Sequence, residues 1–357
     1  MAKNSSAPVT RDVDNNIIGC PHCGARHLRK DGWQYKATLK KQRWYCSSCH
    51  RKTLAPVILE ESPFQVDEMQ PDMIPIEELI DHRLKLYEQK KTHRESKTLV
   101  NIDIKVNGPI GIAHFGDPHV DDDGTDLSQI IHYTDLINNT EGMFAGNLGD
   151  IQNNWIGRLA ALYGQQSTSA KESWRLTEYF VNKLDWIYLV AGNHDVWSGD
   201  GDPLDFIMRD HKGLYEKWGA RMNLRFPNGK KIRINARHTF KGNSMWNTAH
   251  GVAKAAQMGW KDHILTCGHT HVSGYQVLKD PASGLISHAL QVASFKIMDS
   301  YADKLGLDDK NIFNCPVTII DPRYDDDDNR LITTLFNPII ACEYLNFLRM
   351  DYAKTTK

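Results

Sequence analysis

WIYLVAGNHD, residues 186–195, decides the fold. A short apolar run reads as a buried strand, and the chain then turns through Gly into Asn-His-Asp. Four more stretches repeat the pattern: IGIAHFGD (110–117), MFAGNLGD (143–150), KIRINARHTF (231–240) and HILTCGHTH (263–271). Between them, helical patterns fall near 126–138, 155–183, 203–218 and 245–258. Strand and helix alternating in this way predict an α/β layered architecture. Each of the five strands ends in Asp, Asn or His, and ligands in open α/β sheets bind at strand carboxyl ends. One shared site is therefore expected.

The five clusters are GDPH (116–119), GNLGD (146–150), GNHD (192–195), RH (237–238) and GHTH (268–271). They offer Asp117, His119, Asp150, Asn193, His194, His238, His269 and His271. Carboxylate, amide and imidazole together suit borderline divalent ions: Mn²⁺ first, with Fe²⁺ or Zn²⁺ as alternatives. The glycines let the chain turn sharply and bring short side chains close to a metal. A lone strand-end Asp or His is more often a turn cap than a ligand, but five in order point to a metal site. In GHTH, strand alternation would put His269 and His271 on one side. The aspartates at 121–123 read as a solvated loop.

In these residues the chain resembles the calcineurin-like metallophosphoesterases, which carry D-x-H, G-D-x-x-D, G-N-H-D/E, a single His and G-H-x-H in this order. The resemblance covers residues 108–295 and implies a four-layer α/β/β/α sandwich with two metals. By position it gives Asp117, His119 and His271 to the first metal, Asp150 as bridge, and Asn193, His238 and His269 to the second. It makes His194 the proton donor facing the substrate, with Asp195 orienting it. The second Asp of G-D-x-x-D is Asn153 here, which bears on the substrate side and not on the metals. His250 competes with His238. His238 is preferred because it closes a strand, whereas His250 falls within a helical pattern. The protein-phosphatase branch's Arg-Gly and L-R-G-N-H-E are absent, and GNHD is shared with the DNA-repair nuclease and small-phosphodiester branches.

Two divalent ions about 3.5–4 Å apart would clamp a phosphate and generate a bridging hydroxide at neutral pH. In-line attack would expel an alkoxide, which His194 is placed to protonate as general acid. No Ser or Cys nucleophile is required.

Ahead of this, CPHC (20–23) and CSSC (46–49) are two C-x₂-C knuckles. Cys20, Cys23, Cys46 and Cys49 at this spacing predict a closed structural Zn²⁺ site that folds a segment too small to fold alone. The intervening GARHLRKDGWQYKATLKKQRWY interleaves bases with aromatics, a mixture suited to phosphate contact and base stacking. Arg29, Lys30, Lys40, Lys41 and Arg43 are the candidate nucleic-acid-binding residues, whereas Trp44 and Tyr45 read as core. The pattern resembles the zinc ribbons at the front of transposases, which implies contact with nucleic acid.

The net charge of −1 over 357 residues hides an asymmetry. Residues 1–56 hold 11 Lys and Arg against 3 Asp, a net of +8, and the remainder carries −9. A basic front end on an acidic body suggests a polyanion-binding module. No apolar stretch is long enough to span a membrane, and the polar start lacks a secretory h-region, so the cytoplasm is the expected compartment. Cys267, Cys315 and Cys342 read as buried core thiols. The organisation expected is a flexible leader (1–19), zinc ribbon (20–53), linker with one helix (54–107) and α/β phosphoesterase domain (108–357). The function expected is a two-metal phosphodiesterase acting on DNA, a nuclease. The alternative is a phosphomonoesterase or a small-molecule or cyclic-nucleotide phosphodiesterase with the ribbon as docking module.

Overall fold

The computed structural model describes residues 9–59, 73–96, 98–197, 203–298, 306 and 311–355. The chain divides into two compact units, Met1–His82 and Arg83–Lys357. In the first, β1 (Ile18–Gly19), β2 (Leu28–Lys36), β3 (Leu39–Cys46), β4 (Lys52–Thr53) and β5 (Val57–Ile58) make two small antiparallel sheets, β2-β3-β4 and β1-β5. Ile18, Leu28 and Trp44 pack with Cys20 and Cys46 as a miniature core. Pairing runs past the expected ribbon limits on both sides. The Thr10 hydroxyl bonds the Leu28 main chain in both directions, and Val57–Ile58 pairs with Ile18–Gly19, so residues 9–19 are not a loose leader. The leader's first eight residues and 60–72 of the linker lie outside the described residues.

Helix α1 (Ile76–Ser96) falls where the sequence predicts it, with Glu77 and Glu78 in its first turn and His93 and Arg94 in its last. Acids and bases so placed oppose the helix dipole at each end. It buries none of its residues.

In the second unit the elements run β6 (Val100–Asp103), β7 (Ile110–Phe115), α2 (Leu127–Asn138), β8 (Met143–Asn147), α3 (Ala170–Val181), β9 (Trp186–Ala191), α4 (Pro203–Ile207), β10 (Leu214–Lys217), β11 (Gly219–Arg225), β12 (Lys231–Arg237), α5 (His250–Met258), β13 (Ile264–Cys267), β14 (Gly274–Lys279), β15 (Ile286–Gln291), β16 (Val317–Ile320), β17 (Ile332–Leu335) and α6 (Pro338–Thr355). They form two mixed six-stranded sheets, ordered β10-β9-β8-β7-β16-β17 and β14-β15-β13-β12-β11-β6. Inward residues of both sheets share one apolar core, including Ile110, Ile112 and Val190 from the first and Met222, Ile234 and Ile264 from the second. The other face of the first sheet packs Phe115 and Leu189 against Ile130 and Ile137 of α2, Phe180 of α3 and Leu345 of α6. Helix α5 covers the second sheet through Val252 and Ala256. Strands β7, β8 and β9 are mutually parallel, as are β12 and β13, so within each sheet these carboxyl ends share an edge. His114 is fully buried between the sheets, bonded to Tyr188 and Thr318, and burial pushes it down to about 3.

Cys267, Cys315 and Cys342 are buried, as expected. Other expectations change. Only Ala170–Val181 of the pattern at 155–183 is α-helix, because Ser169 and Glu172 form a reciprocal cap that starts it there. Gly157–Gln165 ahead of it is a 3₁₀ turn. The pattern at 203–218 yields a five-residue helix and then a parallel strand, since Gly213 lies against the Trp186 carbonyl where a Cβ has no room. The segment expected to be linker through 107 supplies β6, which pairs with β11. No helix among the described residues is long and apolar enough to cross a membrane.

Candidate metal centre

Each of the five predicted strands stops one to three residues before its first candidate ligand, and after β7, β8 and β13 the backbone turns into a conformation side chains rarely adopt. Asp117 (φ 30°), His119 (40°), Asp150 (50°), His269 (75°) and His271 (54°) all have positive φ, half of the ten such non-glycine residues described. Left-handed backbone at non-glycine residues stores strain and concentrates at functional sites. Strand alternation therefore does not set the directions of His269 and His271, because both lie beyond β13. His269 meets His238 and His271 meets His119, in different halves of the site. The motif glycines answer to crowding. A Cβ on Gly268 would sit 2.6 Å from Asp117 Oδ1, one on Gly149 2.6 Å from His238 Nδ1, and one on Gly192 would overlap the Asp150 carboxylate.

Two ligand-like groups share Asp150: Asp150, His238 and His269 on one side, and His119, Asp150 and His194 on the other. In the first group His238 Nδ1 lies 2.8 Å from the Leu148 carbonyl, to which it donates. Its Nε2 then faces the Asn193 amide oxygen at 2.9 Å, the Asp150 carboxylate at 3.2 Å and His269 Nδ1 at 2.9 Å. Burial opposes a charge on His238, but the hydrogen bond and charge of Asp150, with Asp117, outweigh it and push the imidazole up to about 9. In the second group His119 Nε2 faces His271 Nε2 at 3.2 Å, and His271 Nε2 lies 3.8 Å from Asp117 Oδ2. Burial and the neighbouring His271 and His194 hold His119 well below the usual imidazole range. Burial raises Asp117 well above the carboxylate range, with Asp150 and Asp195 adding to it and His238 opposing.

The residues fit divalent metal. Asp117 Oδ1 and His119 Nδ1 are buried with no hydrogen-bond partner, although such atoms are costly to leave unpaired. Imidazole nitrogens aimed at each other and at carboxylates are a donor set built for a cation. His250, the rival of His238, begins α5 and belongs to neither group.

His194 and Asp195 relate differently from expectation. Both Asp195 oxygens are taken by main-chain donors: Asp150 N at 2.7 Å and Gly192 N at 2.8 Å on one, Ile151 N at 3.0 Å on the other. Asp195 thus ties the loop after β8 to the loop after β9 and does not orient the His194 ring. Burial and Asp150 push its carboxyl up to about 7 against the pull of those donors. The Asn153 carbonyl holds His194 Nδ1 at 2.6 Å, and Asn154 holds the His194 carbonyl at 2.8 Å. His194 Nε2 lies 3.9 Å from Asp150 Oδ2.

Several neighbours escaped the sequence reading. Asp121 is buried, not solvated, and accepts from Asn153 N at 2.8 Å, while Asp122 pairs with Lys296 at 3.0 Å and accepts from Asn153 Nδ2. These bonds clamp the GDIQNNW loop. Trp155 and Trp197 flank His194, with ring centroids 5.3 Å and 4.1 Å from its own. Both follow a motif within a few residues, which is the only signal that could have found them.

In the amino-terminal unit Cys20, Cys23, Cys46 and Cys49 come together, with Cys20–Cys49 and Cys23–Cys46 sulfurs each 3.6 Å apart. Main-chain N–H groups of Cys49 and Ser48 pull Cys46 down to about 6, while its partner thiols push Cys23 up to about 12 against the Ala25 N–H. Four sulfurs so crowded suit one Zn²⁺. His50 turns away to the Tyr45 hydroxyl. Trp44 is core as expected, but Tyr45 is half-exposed under Arg29, whose guanidinium lies 4.3 Å from the ring centre. Arg29, Lys30, Lys40 and Lys41 are exposed, whereas Arg43 is tied to Asp31 at 2.9 Å.

No known protein family matches the chain, and no curated protein does.

Proposed function

We propose that this chain is a two-metal phosphoesterase with the four-layer α/β/β/α architecture of the calcineurin-like metallophosphoesterases, hydrolysing phosphodiester bonds in DNA. The observation that carries the reading is the pair of His/Asp groups meeting at buried Asp150. A carboxylate shared between two imidazole-rich groups is the donor arrangement of a dinuclear centre. Asp117, His119 and His271 with Asp150 would hold one ion, and Asp150, Asn193, His238 and His269 the other. Bound there, divalent ions supply the charge that draws in phosphate oxygens and lowers the pKa of water.

The remaining work falls to the chain. Because Nδ1 of His194 faces a carbonyl, which only accepts, that nitrogen carries the proton and Nε2 is the end that exchanges one with substrate. As general acid, His194 Nε2–H gives its proton to the leaving oxygen. Asn153 and Asn154 fix the residue at both its ring and its carbonyl, which holds the acid in place without Asp195. Exposed Arg29, Lys30, Lys40 and Lys41 in the amino-terminal unit support a polyanionic substrate.

The test is hydrolysis of labelled single- and double-stranded DNA beside bis(p-nitrophenyl) phosphate, with Mn²⁺ added. Cleavage of DNA supports the nuclease. Turnover of the aryl ester alone would move the function to small phosphodiesters or monoesters, with the ribbon as a docking module.

A further inference from the structure

Two tryptophans beside His194 are unused by the chemistry above. Trp155 meets the His194 ring edge-on, at 71° and 5.3 Å, and Trp197 lies over it at 38° and 4.1 Å. The two indoles are 6.3 Å apart and tilted by 37° to each other. Trp155 is fixed by its own N–H, which donates to Gln166 Oε1 at 2.9 Å, and Gln166 is held in turn by Thr168 and Asn153. Both indoles are half-buried, so each keeps surface in solvent at the rim of a site otherwise lined by Asp, Asn and His. A general acid must stand within hydrogen-bond reach of the oxygen it protonates. Whatever is attached to that oxygen then lies beside the His194 ring, whose centre is 5.3 Å and 4.1 Å from the two indoles.

We infer that Trp155 and Trp197 form a stacking platform for the nucleobase on the leaving-group side of the scissile phosphodiester. The inference rests on the nuclease reading and narrows its substrate. Aromatic faces bind bases through their π surfaces, without regard to which base it is. A base inside a duplex has both faces covered, so a platform at the reacting phosphate selects single-stranded or frayed DNA. Propping His194 in position is the competing role for the same rings, and it makes no demand on the substrate's base.

The experiment uses the full-length protein with Mn²⁺ and single-stranded oligonucleotides in which one ordinary phosphodiester is flanked by methylphosphonates. Three versions are compared: intact, abasic on the 5′ side of the cleavable bond, and abasic on the 3′ side. Product analysis shows which oxygen departs. Removing the leaving-side base should lower wild-type kcat/KM roughly 5- to 150-fold, the range that alanine substitution of a base-stacking aromatic covers. Trp197→Ala and Trp155→Ala should lose a comparable factor on the intact strand and no longer distinguish it from the abasic one. Trp→Leu at each position fills the space without an aromatic face and should behave as the Ala variant does, which covers the case of an Ala variant that does not fold. Trp→Phe should restore part of the dependence on the base. Wild-type cleavage that ignores both bases, or variants that keep the full base dependence, would overturn the platform and leave the nuclease standing. Turnover of bis(p-nitrophenyl) phosphate with no cleavage of any strand would instead remove the nuclease reading itself.

Discussion

Nε2 of His238 faces a carboxylate and an amide oxygen, which only accept, together with a second imidazole. Such a nitrogen must hold either a proton or a metal ion, which is why burial fails to keep this histidine neutral. His194 differs, because its Nδ1 is committed to the Asn153 carbonyl and its Nε2 stands 3.9 Å from Asp150. In its proposed role as proton donor and not ligand, it predicts that His194→Ala lowers turnover by about 10²–10⁴ while the metal content measured by atomic emission stays at the wild-type value. A variant that binds fewer ions would make His194 a ligand, as its place beside His119 and Asp150 permits. Asp150→Asn should lower metal content and rate together.

His114 sets a second residue-scale expectation. Its folded pKa is pushed down to about 3 by burial, against about 6.5 in an unfolded chain. Below pH 6.5 the unfolded chain takes up the proton and the folded one does not. The stability is therefore complete above about 6.5 and is lost as pH falls toward about 3, by up to about 1.4 kcal/mol per pH unit. His114→Gln, although less stable at pH 7.5, should lose about 2 kcal/mol less than wild type between pH 7.5 and pH 5. Urea midpoints at the two pH values measure the difference. Equal losses would show that another group dominates the acid side.

At the scale of elements, the loops after β8 and β9 are joined through one carboxylate, Asp195, with three main-chain donors. Asp195→Asn leaves at least one of those N–H groups facing an amide nitrogen, at a cost of about 1–3 kcal/mol. The melting temperature should fall by about 2–12 °C, given about 2–4 °C per kcal/mol in a domain of this size. An unchanged melting temperature with a large loss of turnover would return Asp195 to the role of orienting His194. These loops also mark the limit of what the sequence disclosed. All five strands were legible, because apolar runs ending in Gly and a polar cluster are local signals. So was the set of polar residues they deliver, since parallel strands bring their carboxyl ends to one edge. The pairings were not legible. Which imidazole meets which carboxylate depends on left-handed turns at Asp117, His119, Asp150, His269 and His271, conformations that a residue's identity does not announce. Strand β10 was missed for a related reason. Its LYEK is too short to show a period, and pairing with β9 decides its conformation.

At the scale of the whole molecule, charge is divided more sharply than composition reveals: +8 over residues 1–56 and −9 over the rest. An acidic body repels a phosphate backbone within a Debye length of about 8 Å at physiological salt, so a DNA-cleaving enzyme of this composition needs another means of holding its substrate. The amino-terminal unit has the chemistry for it. Lys40 lies 4.3 Å from the Trp33 ring centre, Arg29 covers Tyr45, and Trp33 and Tyr35 stand 49% and 68% exposed on a hairpin with few acids. Arg43 contributes less than its charge suggests, because Asp31 already neutralises it. Lys40→Glu with Lys41→Glu should therefore weaken DNA binding and cleavage at low substrate while leaving hydrolysis of bis(p-nitrophenyl) phosphate near wild type, since a small ester needs no tether. Every phosphate that the variant fails to neutralise should also reduce the log–log salt slope of binding, by about 0.7 for a single strand and about 0.9 for a duplex. Titration of DNA affinity against salt, for both proteins, separates this from general damage, which would lower affinity without changing the slope. If the double variant binds and cuts DNA as the wild type does, the basic hairpin serves a protein partner, and the acidic body must reach its substrate through contacts of its own.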